Sequence, residues 1–357
     1  MNKDEKYIRE CFKLAKKGQG SVSPNPLVSA ILVKDGKVIG RGYHKKYGDA
    51  HAEVEAINNA KKNVAGSTLY CNLEPCCHTK KQTPPCVPLI IEKKIKRVVL
   101  SNLDPNREVN GKGIKQLKNA VIEVLTGVLQ EEGEKLNKFY FKSVKKKVPY
   151  ITLKIAQSID GKISEKKNIQ TWLTGKESIK FVHKVRSEYD AVLIGANTVK
   201  VDNPLLTVRE VKGRNPVRII IDGKLSSPLN SKIFNQSDPD NTWIFTSNSA
   251  NQKKLDQLSK RGIKILKIGK TKNGRLDIEK ILRTLAQNKI ASILVEGGAD
   301  IFTQFIDLGF YDEIILLQAP IILGKGLSVS KFSQAKNLKL LNVQKLGNDV
   351  KLVFGRK

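Results

Sequence analysis

His51-Ala52-Glu53, followed by Leu73-Glu74-Pro75-Cys76 and Thr83-Pro84-Pro85-Cys86, are the stretches that decide how this chain is read. One imidazole and two thiols can hold a zinc ion and leave a fourth position open, the arrangement of a catalytic site. A structural zinc knuckle would want a fourth protein ligand. His51, Cys76 and Cys86 are therefore the metal-ligand candidates. Glu53, two residues beyond His51 on the same helix start, points at a different angle and suits proton transfer rather than ligation. Cys77 competes with Cys86 for the third place, but neighbouring thiols rarely converge on one tetrahedral ion, which favours Cys86. Cys76, after a strand and a proline, is expected at a helix start, where backbone N–H groups favour a thiolate. Cys71 in a strand and Cys11 on an apolar helix face read as small core residues.

The order H-x-E…P-C is that of zinc enzymes that remove an amino group from a nucleobase-like ring by hydrolysis. A length of 357 residues suggests two domains. The formal charge of +30 raises the alternative of a tRNA or nucleic-acid base deaminase with an accessory domain. Its lysine doublets, however, are dispersed from Lys16-Lys17 to Lys253-Lys254 and do not cluster on one element, so no nucleic-acid partner is expected. No apolar run is long enough to span a bilayer, and no membrane partner is expected. Five cysteines, three of them within Cys71 to Cys77, argue against a disulfide framework and for a reducing cytoplasm. A homo-oligomer is left open.

Along the first half, Leu27 to Lys34 and Lys37 to Arg41 predict a hairpin about Asp35-Gly36. A helix is expected over 50–63 with Asp49 as N-cap, then a strand over 68–73, a helix over 87–93 and a strand over 97–100. A helix over 114–119, a strand over 121–125 and a closing helix over 129–141 complete this half. The charged segment Lys145 to Pro149 marks a boundary, placing the domains at 1–146 and 147–357. Beyond it, apolar strands over 150–156, 191–195, 217–222, 242–246, 263–268, 293–295 and 313–317 are interleaved with helices over 179–187, 251–260, 278–286 and 300–308. Short apolar strands separated by helices predict a mainly parallel sheet covered on both faces.

Beyond the zinc set, Pro24-Asn25-Pro26, Gly40-Arg41-Gly42-Tyr43-His44, His78, Asp104-Pro105-Asn106 and Gly111-Lys112-Gly113 carry a resemblance. With these motifs the chain resembles the bifunctional riboflavin-biosynthesis deaminase/reductase family. The resemblance implies an α/β protein: an N-terminal cytidine-deaminase-like three-layer α/β/α domain and a C-terminal dihydrofolate-reductase-like α/β domain. It also implies that Asn25, His44, His78 and Lys81 contact a phosphorylated pyrimidine substrate. The chain departs from the family pattern in a Cys77–Thr83 loop one residue longer, in Ser29 for glycine and in Arg107 for proline.

In the second half the resemblance continues through Ser158-Ile159-Asp160-Gly161-Lys162, Trp172-Leu173-Thr174, Asp202-Asn203-Pro204-Leu205-Leu206-Thr207 and Val295-Glu296-Gly297-Gly298. In the last of these a strand runs through two glycines into a helix, a form suited to close approach by a phosphate. There is no G-x-G-x-x-G, which argues against a Rossmann domain. By resemblance, NADPH meets Ala156, Trp172, Thr198, Asp202, Ser226 and Gly298. The substrate would meet Gln170, Arg186, Leu206, Arg209 and Glu296, with Gln170 standing where the family has serine. Lys154 and Asp202 would handle protons during reduction of an opened ribose. The implied cofactors are zinc and NADPH. The implied reactions are deamination of 2,5-diamino-6-ribosylamino-4(3H)-pyrimidinone 5′-phosphate and then reduction of its ribosyl chain.

Overall fold

In the computed structural model, which describes residues 2–79, 83–329 and 334–357, the chain divides into the units Met1–Lys147 and Val148–Lys357. The first runs α1 (Lys3–Ala15), β1 (Ser29–Lys34), β2 (Lys37–Tyr43), α2 (Ala52–Asn58), β3 (Thr68–Leu73), α3 (Cys86–Glu92), β4 (Arg97–Asn102), α4 (Lys112–Asn119), β5 (Glu123–Leu125), α5 (Gln130–Leu136) and α6 (Lys138–Lys146). Its sheet has the order β2-β1-β3-β4-β5, with β1 antiparallel to both neighbours and β3, β4 and β5 parallel. Side chains alternate between the faces of a strand, and this produces the layers. Ala30, Leu32, Leu69, Cys71, Val98 and Leu100 pack with Ala56, Val87, Ile90 and Leu117 of α2, α3 and α4. Their neighbours Ile31, Val33, Tyr70 and Val99 pack with Tyr7, Ile8, Cys11 and Phe12 of α1.

The predicted hairpin turn forms with Asp35 at φ 50° and Gly36 at φ 73°, both left-handed, as a two-residue type I′ turn requires. Ser29 is absorbed without disturbance. Its hydroxyl donates to Cys11 O at 2.7 Å, and its N–H donates to Asn72 Oδ1 at 2.7 Å. Gly40 and Gly42 lie on the same face of β2, against α2. A Cβ on Gly42 would overlap Ala52 O and Ala56 N, and one on Gly40 would overlap Ala56 O.

Several boundaries differ from expectation. The helix expected over 50–63 stops at Asn58, because the chain turns and Lys61 N–H bonds to Ile39 O on β2. Its N-cap is His51 rather than Asp49, and the imidazole makes no capping bond. The helix expected over 129–141 breaks at Asn137, whose amide accepts from Leu27 N at 2.7 Å and donates to Leu27 O at 3.0 Å. The chain just ahead of β1, which Asn72 Nδ2 also holds by donating to Leu27 O at 2.8 Å, is thereby anchored at the expense of helical continuity. Lys145 and Lys146 are the last turn of α6 rather than linker, and Lys147 ends it at φ 57°.

The second unit contains β6 (Tyr150–Gln157), β7 (Lys162–Ser164), α7 (Lys176–Glu188), β8 (Ala191–Gly195), α8 (Ala196–Asp202), β9 (Val217–Ile221), β10 (Thr242–Thr246), α9 (Gln252–Lys260) and β11 (Lys264–Lys267). It continues with α10 (Ile278–Gln287), β12 (Ser292–Val295), α11 (Ala299–Asp307), β13 (Glu313–Gln318), β14 (Leu327–Ser328), β15 (Leu338–Leu346) and β16 (Asp349–Arg356). The main sheet has the order β11-β10-β9-β8-β12-β6-β13-β16-β15. It is parallel from β11 to β13, and β16 and β15 complete it antiparallel. One face is covered by α10 and α11 through Ile281, Leu285, Ile301 and Phe305. The other carries Leu255 and Leu258 of α9. The terminal hairpin was not anticipated, although Gly347-Asn348 between Leu346 and Asp349 is a two-residue hairpin turn. Among the described residues, no helix is long and apolar enough to cross a membrane.

The β2–α2 contact gives a direct test. Gly42→Ala is expected to force α2 off the sheet and cost about 1–3 kcal/mol, the usual penalty of overpacking. The cost is read as a lowered midpoint in chemical denaturation; an unchanged midpoint would show that α2 has room to move.

Candidate active sites

His51 Nδ1 lies 3.3 Å from Cys76 Sγ and 3.4 Å from Cys86 Sγ, and the three ligand atoms all fall within 4.8 Å of one another. Zinc–nitrogen and zinc–sulfur bonds of about 2.0 and 2.3 Å at tetrahedral angles separate N from S by roughly 3.5 Å, so the donor set fits a zinc ion. Nδ1 must then be unprotonated, and the ring proton sits on Nε2, which is 3.0 Å from Thr83 Oγ1. Cys76 is not at a helix start. It lies in irregular chain after β3, and Cys86 is the residue that opens α3, behind the N-cap Pro85. The helix start nevertheless serves Cys76, because Cys86 N–H is 3.3 Å from its sulfur. Cys86 N and Val87 N also donate to Cys76 O at 3.0 and 3.1 Å. Cys77 turns away, its Sγ 3.7 Å from Glu108 O. Cys11 and Cys71 are fully buried core residues, and burial pushes both thiols upward.

A cavity of about 320 Å³ opens beside this group, lined by Asn25, His44, His51, Glu53, Cys76 and His78, with Thr83, Asp104, Asn106 and Tyr140. Glu53, the second residue of α2, is buried there. Cys86 is fully buried behind it, and Lys81 lies outside the described residues. His44 Nδ1 faces Ala50 O at 3.1 Å and so carries the ring proton. Its Nε2 therefore accepts from Asn25 Nδ2 at 3.1 Å. Burial lowers the pKa of His44 and keeps it neutral. The relay commits Asn25 Nδ2 to His44 and leaves Asn25 Oδ1 as the acceptor on offer. His78 Nδ1 is buried with no hydrogen-bond partner among the described residues, a demand that a ligand in this cavity would meet.

The rim of the cavity hangs on Glu74. Its carboxylate accepts from Asp104 N at 3.3 Å, Gly111 N at 3.0 Å and Ile114 N at 3.4 Å. A Cβ on Gly113 would come 2.6 Å from Pro75 O, so only glycine lets this turn approach. Asp104 Oδ1 accepts from Asn106 N at 2.8 Å and Tyr140 OH at 2.9 Å. Burial outweighs both bonds and pushes the Asp104 carboxyl up to about 6. In the sequence Asp104 and Asn106 stand out only as part of a motif. Nothing in the sequence announces Tyr140, an aromatic residue of a distant helix.

In the second unit a cavity of about 960 Å³ lies at the C-terminal ends of β6, β8, β9 and β12, where open parallel sheets bind ligands. Lys154, Ala156, Gln170, Trp172, Arg186, Thr198, Asp202, Leu206, Arg209, Ser226, Glu296 and Gly298 all line it. Arg186 grips Glu296 with Nε at 2.6 Å and Nη2 at 2.9 Å, and Lys154 Nζ stands 3.8 Å from the same carboxylate. Burial opposes the Glu296 charge, but Arg186 and Lys154 outweigh it and hold the carboxyl well below the usual range. Burial likewise lowers the pKa of Lys154 and raises that of Asp202. The guanidinium fork of Arg186 is thus engaged by protein, whereas Arg209 is half-exposed, with Glu210 Oε1 at 3.8 Å as its ion-pair partner among the described residues.

At the end of β12, Gly297 packs against β8, where a Cβ would meet Gly195 N at 3.0 Å. A Cβ on Gly298 would meet only Thr198 Oγ1 at 3.5 Å. Gly298 N–H is held by that hydroxyl at 3.0 Å at the start of α11. Ser226 is fixed by two bonds to Asp222 Oδ1, at 2.8 and 3.2 Å. The volume, the open glycine and the helix start fit a dinucleotide such as NADPH.

The family model of the cytidine and deoxycytidylate deaminase zinc-binding region matches residues 1–102, and that of the RibD C-terminal domain matches residues 149–352. The chain is 41% identical to the riboflavin biosynthesis protein RibD of Aquifex aeolicus, over 99% of this chain and 98% of that one. It is 39% identical to the RibD of Bacillus amyloliquefaciens, over 98% and 95%. Among solved structures, RibD of Acinetobacter baumannii superposes with a TM-score of 0.91 at 33% identity, covering 99% of both chains. A diaminohydroxyphosphoribosylaminopyrimidine deaminase/5-amino-6-(5-phosphoribosylamino)uracil reductase from Thermotoga maritima gives 0.87 at 37%, again over 99% of both. With two cavities of this chemistry on a fold shared over its whole length, the chain belongs to the RibD family of riboflavin biosynthesis proteins.

Proposed function

We propose that this chain carries out two successive steps of riboflavin biosynthesis. The first is hydrolytic deamination of 2,5-diamino-6-ribosylamino-4(3H)-pyrimidinone 5′-phosphate in the unit assigned to residues 1–146. The second is NADPH-dependent reduction of the ribosyl chain to ribityl in the unit assigned to 147–357. The observation that carries the reading is the convergence of His51 Nδ1, Cys76 Sγ and Cys86 Sγ beside Glu53 in one cavity. The partner is a small phosphorylated pyrimidine rather than nucleic acid. A cytoplasmic location is proposed from the cysteine content, an odd number with three of the five within Cys71 to Cys77, which suits a reducing compartment.

Zinc held by these residues supplies Lewis acidity that brings the pKa of water toward neutrality. The Glu53 carboxylate takes a proton from the attacking water and passes it to the departing amino nitrogen. Asn25 Oδ1 and His78 Nδ1 orient the pyrimidine. Thr83 Oγ1 accepts a hydrogen bond from His51 Nε2–H and so fixes which ring nitrogen is left to ligate.

In the second cavity NADPH supplies the reducing equivalents. Lys154 and Asp202 line one cavity, and burial lowers the pKa of the first and raises that of the second, which brings both closer to the range in which they exchange protons. Glu296 and Arg186 hold Lys154 in place, Gly298 and Ser226 receive the dinucleotide, and Arg209 receives the substrate phosphate with a planar two-pronged donor.

Ammonia release and NADPH absorbance, followed in parallel on purified protein with the diaminopyrimidine phosphate, test the whole reading; silence in both channels would sink it. Glu53→Ala is expected to abolish ammonia release while metal analysis still finds zinc and the deaminated substrate is still reduced. Loss of zinc in that variant would remove the proton-transfer role. Thr83→Val should weaken zinc about 10- to 100-fold in competition with a chromogenic chelator. Asp202→Ala should slow NADPH oxidation by about 10²- to 10⁴-fold with ammonia release intact. Equal loss of both activities would argue against separate sites.

A further inference from the structure

The chain between α8 and β9 contains an arm, Leu206 to Arg209, with no regular secondary structure. Leu206 is buried at φ 56°, a left-handed conformation that a leucine holds only where the surroundings impose it. Two of the bonds that impose it come from one face of α7. Arg186 Nη1 donates to Thr207 O at 3.3 Å, and His183 Nδ1 accepts from Arg209 N at 3.1 Å. A third, from Val208 N to Asn215 Oδ1 at 2.8 Å, closes the arm from its outer side. His183 and Arg186 are three residues apart, adjacent on the helix surface.

We propose that His183 is a positioning residue of the reduction step. By accepting the Arg209 N–H through Nδ1, it sets where the Arg209 guanidinium meets the phosphate of the substrate. This inference rests on the assignment of Arg209 to that phosphate. The ring is almost wholly buried, and it lines the same cavity as Lys154 and Asp202. An acceptor at Nδ1 requires the proton on Nε2, so only one neutral tautomer supports the arm. Burial first, then the positive charges of Arg186 and Arg209, bring the His183 pKa down to about 4 against the weaker pull of Glu210 and Glu296. The acceptor is therefore maintained at neutral pH. The same helix face also aims Arg186 at Glu296, and through it at Lys154. The phosphate anchor and the reacting centre are thus referred to one rigid element.

Asparagine can place Oδ1 near the position of Nδ1, whereas glutamine places its amide nearer Nε2, and leucine offers neither. In the full-length protein the KM for 5-amino-6-(5-phosphoribosylamino)uracil should rise about tenfold in His183→Leu and His183→Gln, the loss of one buried hydrogen bond. The KM for NADPH should not move, and His183→Asn should restore the substrate KM. A purely structural role predicts both KM values rising together with no difference between Asn and Gln, and that result would overturn the proposal, as would an unchanged substrate KM in Leu and Gln. If His183→Leu does not fold, the Asn–Gln contrast alone decides. Arg209→Ala separates the two levels. A raised substrate KM there, with no effect of His183→Gln, removes only the positioning role. No effect of Arg209→Ala removes the phosphate assignment and the inference with it.

Discussion

A nitrogen and two sulfurs from separate chain segments have to meet at little more than van der Waals distance inside a protein, and the first unit is arranged around that demand. His51 comes from the start of α2, and α2 reaches its position only because Gly40 and Gly42 let it lie directly on β2. Cys76 comes from the end of β3 and Cys86 from the start of α3, so both sulfurs depend on the register of the central strands. The outer partner Thr83 and the buried carboxyl of Glu53 then follow from the same two helix starts. Preorganisation of this kind fixes reacting groups before any substrate arrives.

The second unit solves a different problem, that of keeping opposite charges out of water without neutralising them uselessly. A buried ion pair is expensive to desolvate, and apolar replacements are often no less stable. The Arg186–Glu296 pair is therefore better understood by what it holds than by what it stabilises. One carboxylate steadies Lys154 while one guanidinium steadies both that carboxylate and the backbone at Thr207. The parallel strand order places this network where loops from β6, β8 and β12 converge, so Lys154, Asp202 and the open Gly298 share one crevice.

Much of this was legible in the residues themselves, for identifiable reasons. The succession of apolar strands and helices is a local signal, so the pattern of the second half already implied a mainly parallel sheet covered on both faces. The ligand set was legible because thiols and an imidazole at those spacings have few competing explanations. What escaped was long-range. Asn137 reads as an ordinary helical residue until Leu27, 110 positions away, takes both ends of its amide. Tyr140 and Asp104 meet across 36 positions, and His183 shows its role only when Arg209 folds back on it. The position of Cys76 was misjudged for a local reason. Pro75 suggested a helix start, but the helix waits for Pro85.

The bonds from Cys86 N and Val87 N to Cys76 O close the excursion between the two sulfurs at its base. The two ligand-bearing residues are thereby clasped to each other by main-chain atoms. A bond donated by a backbone N–H survives every substitution except proline, so this clasp holds the spacing of the sulfurs whatever side chain stands at position 87.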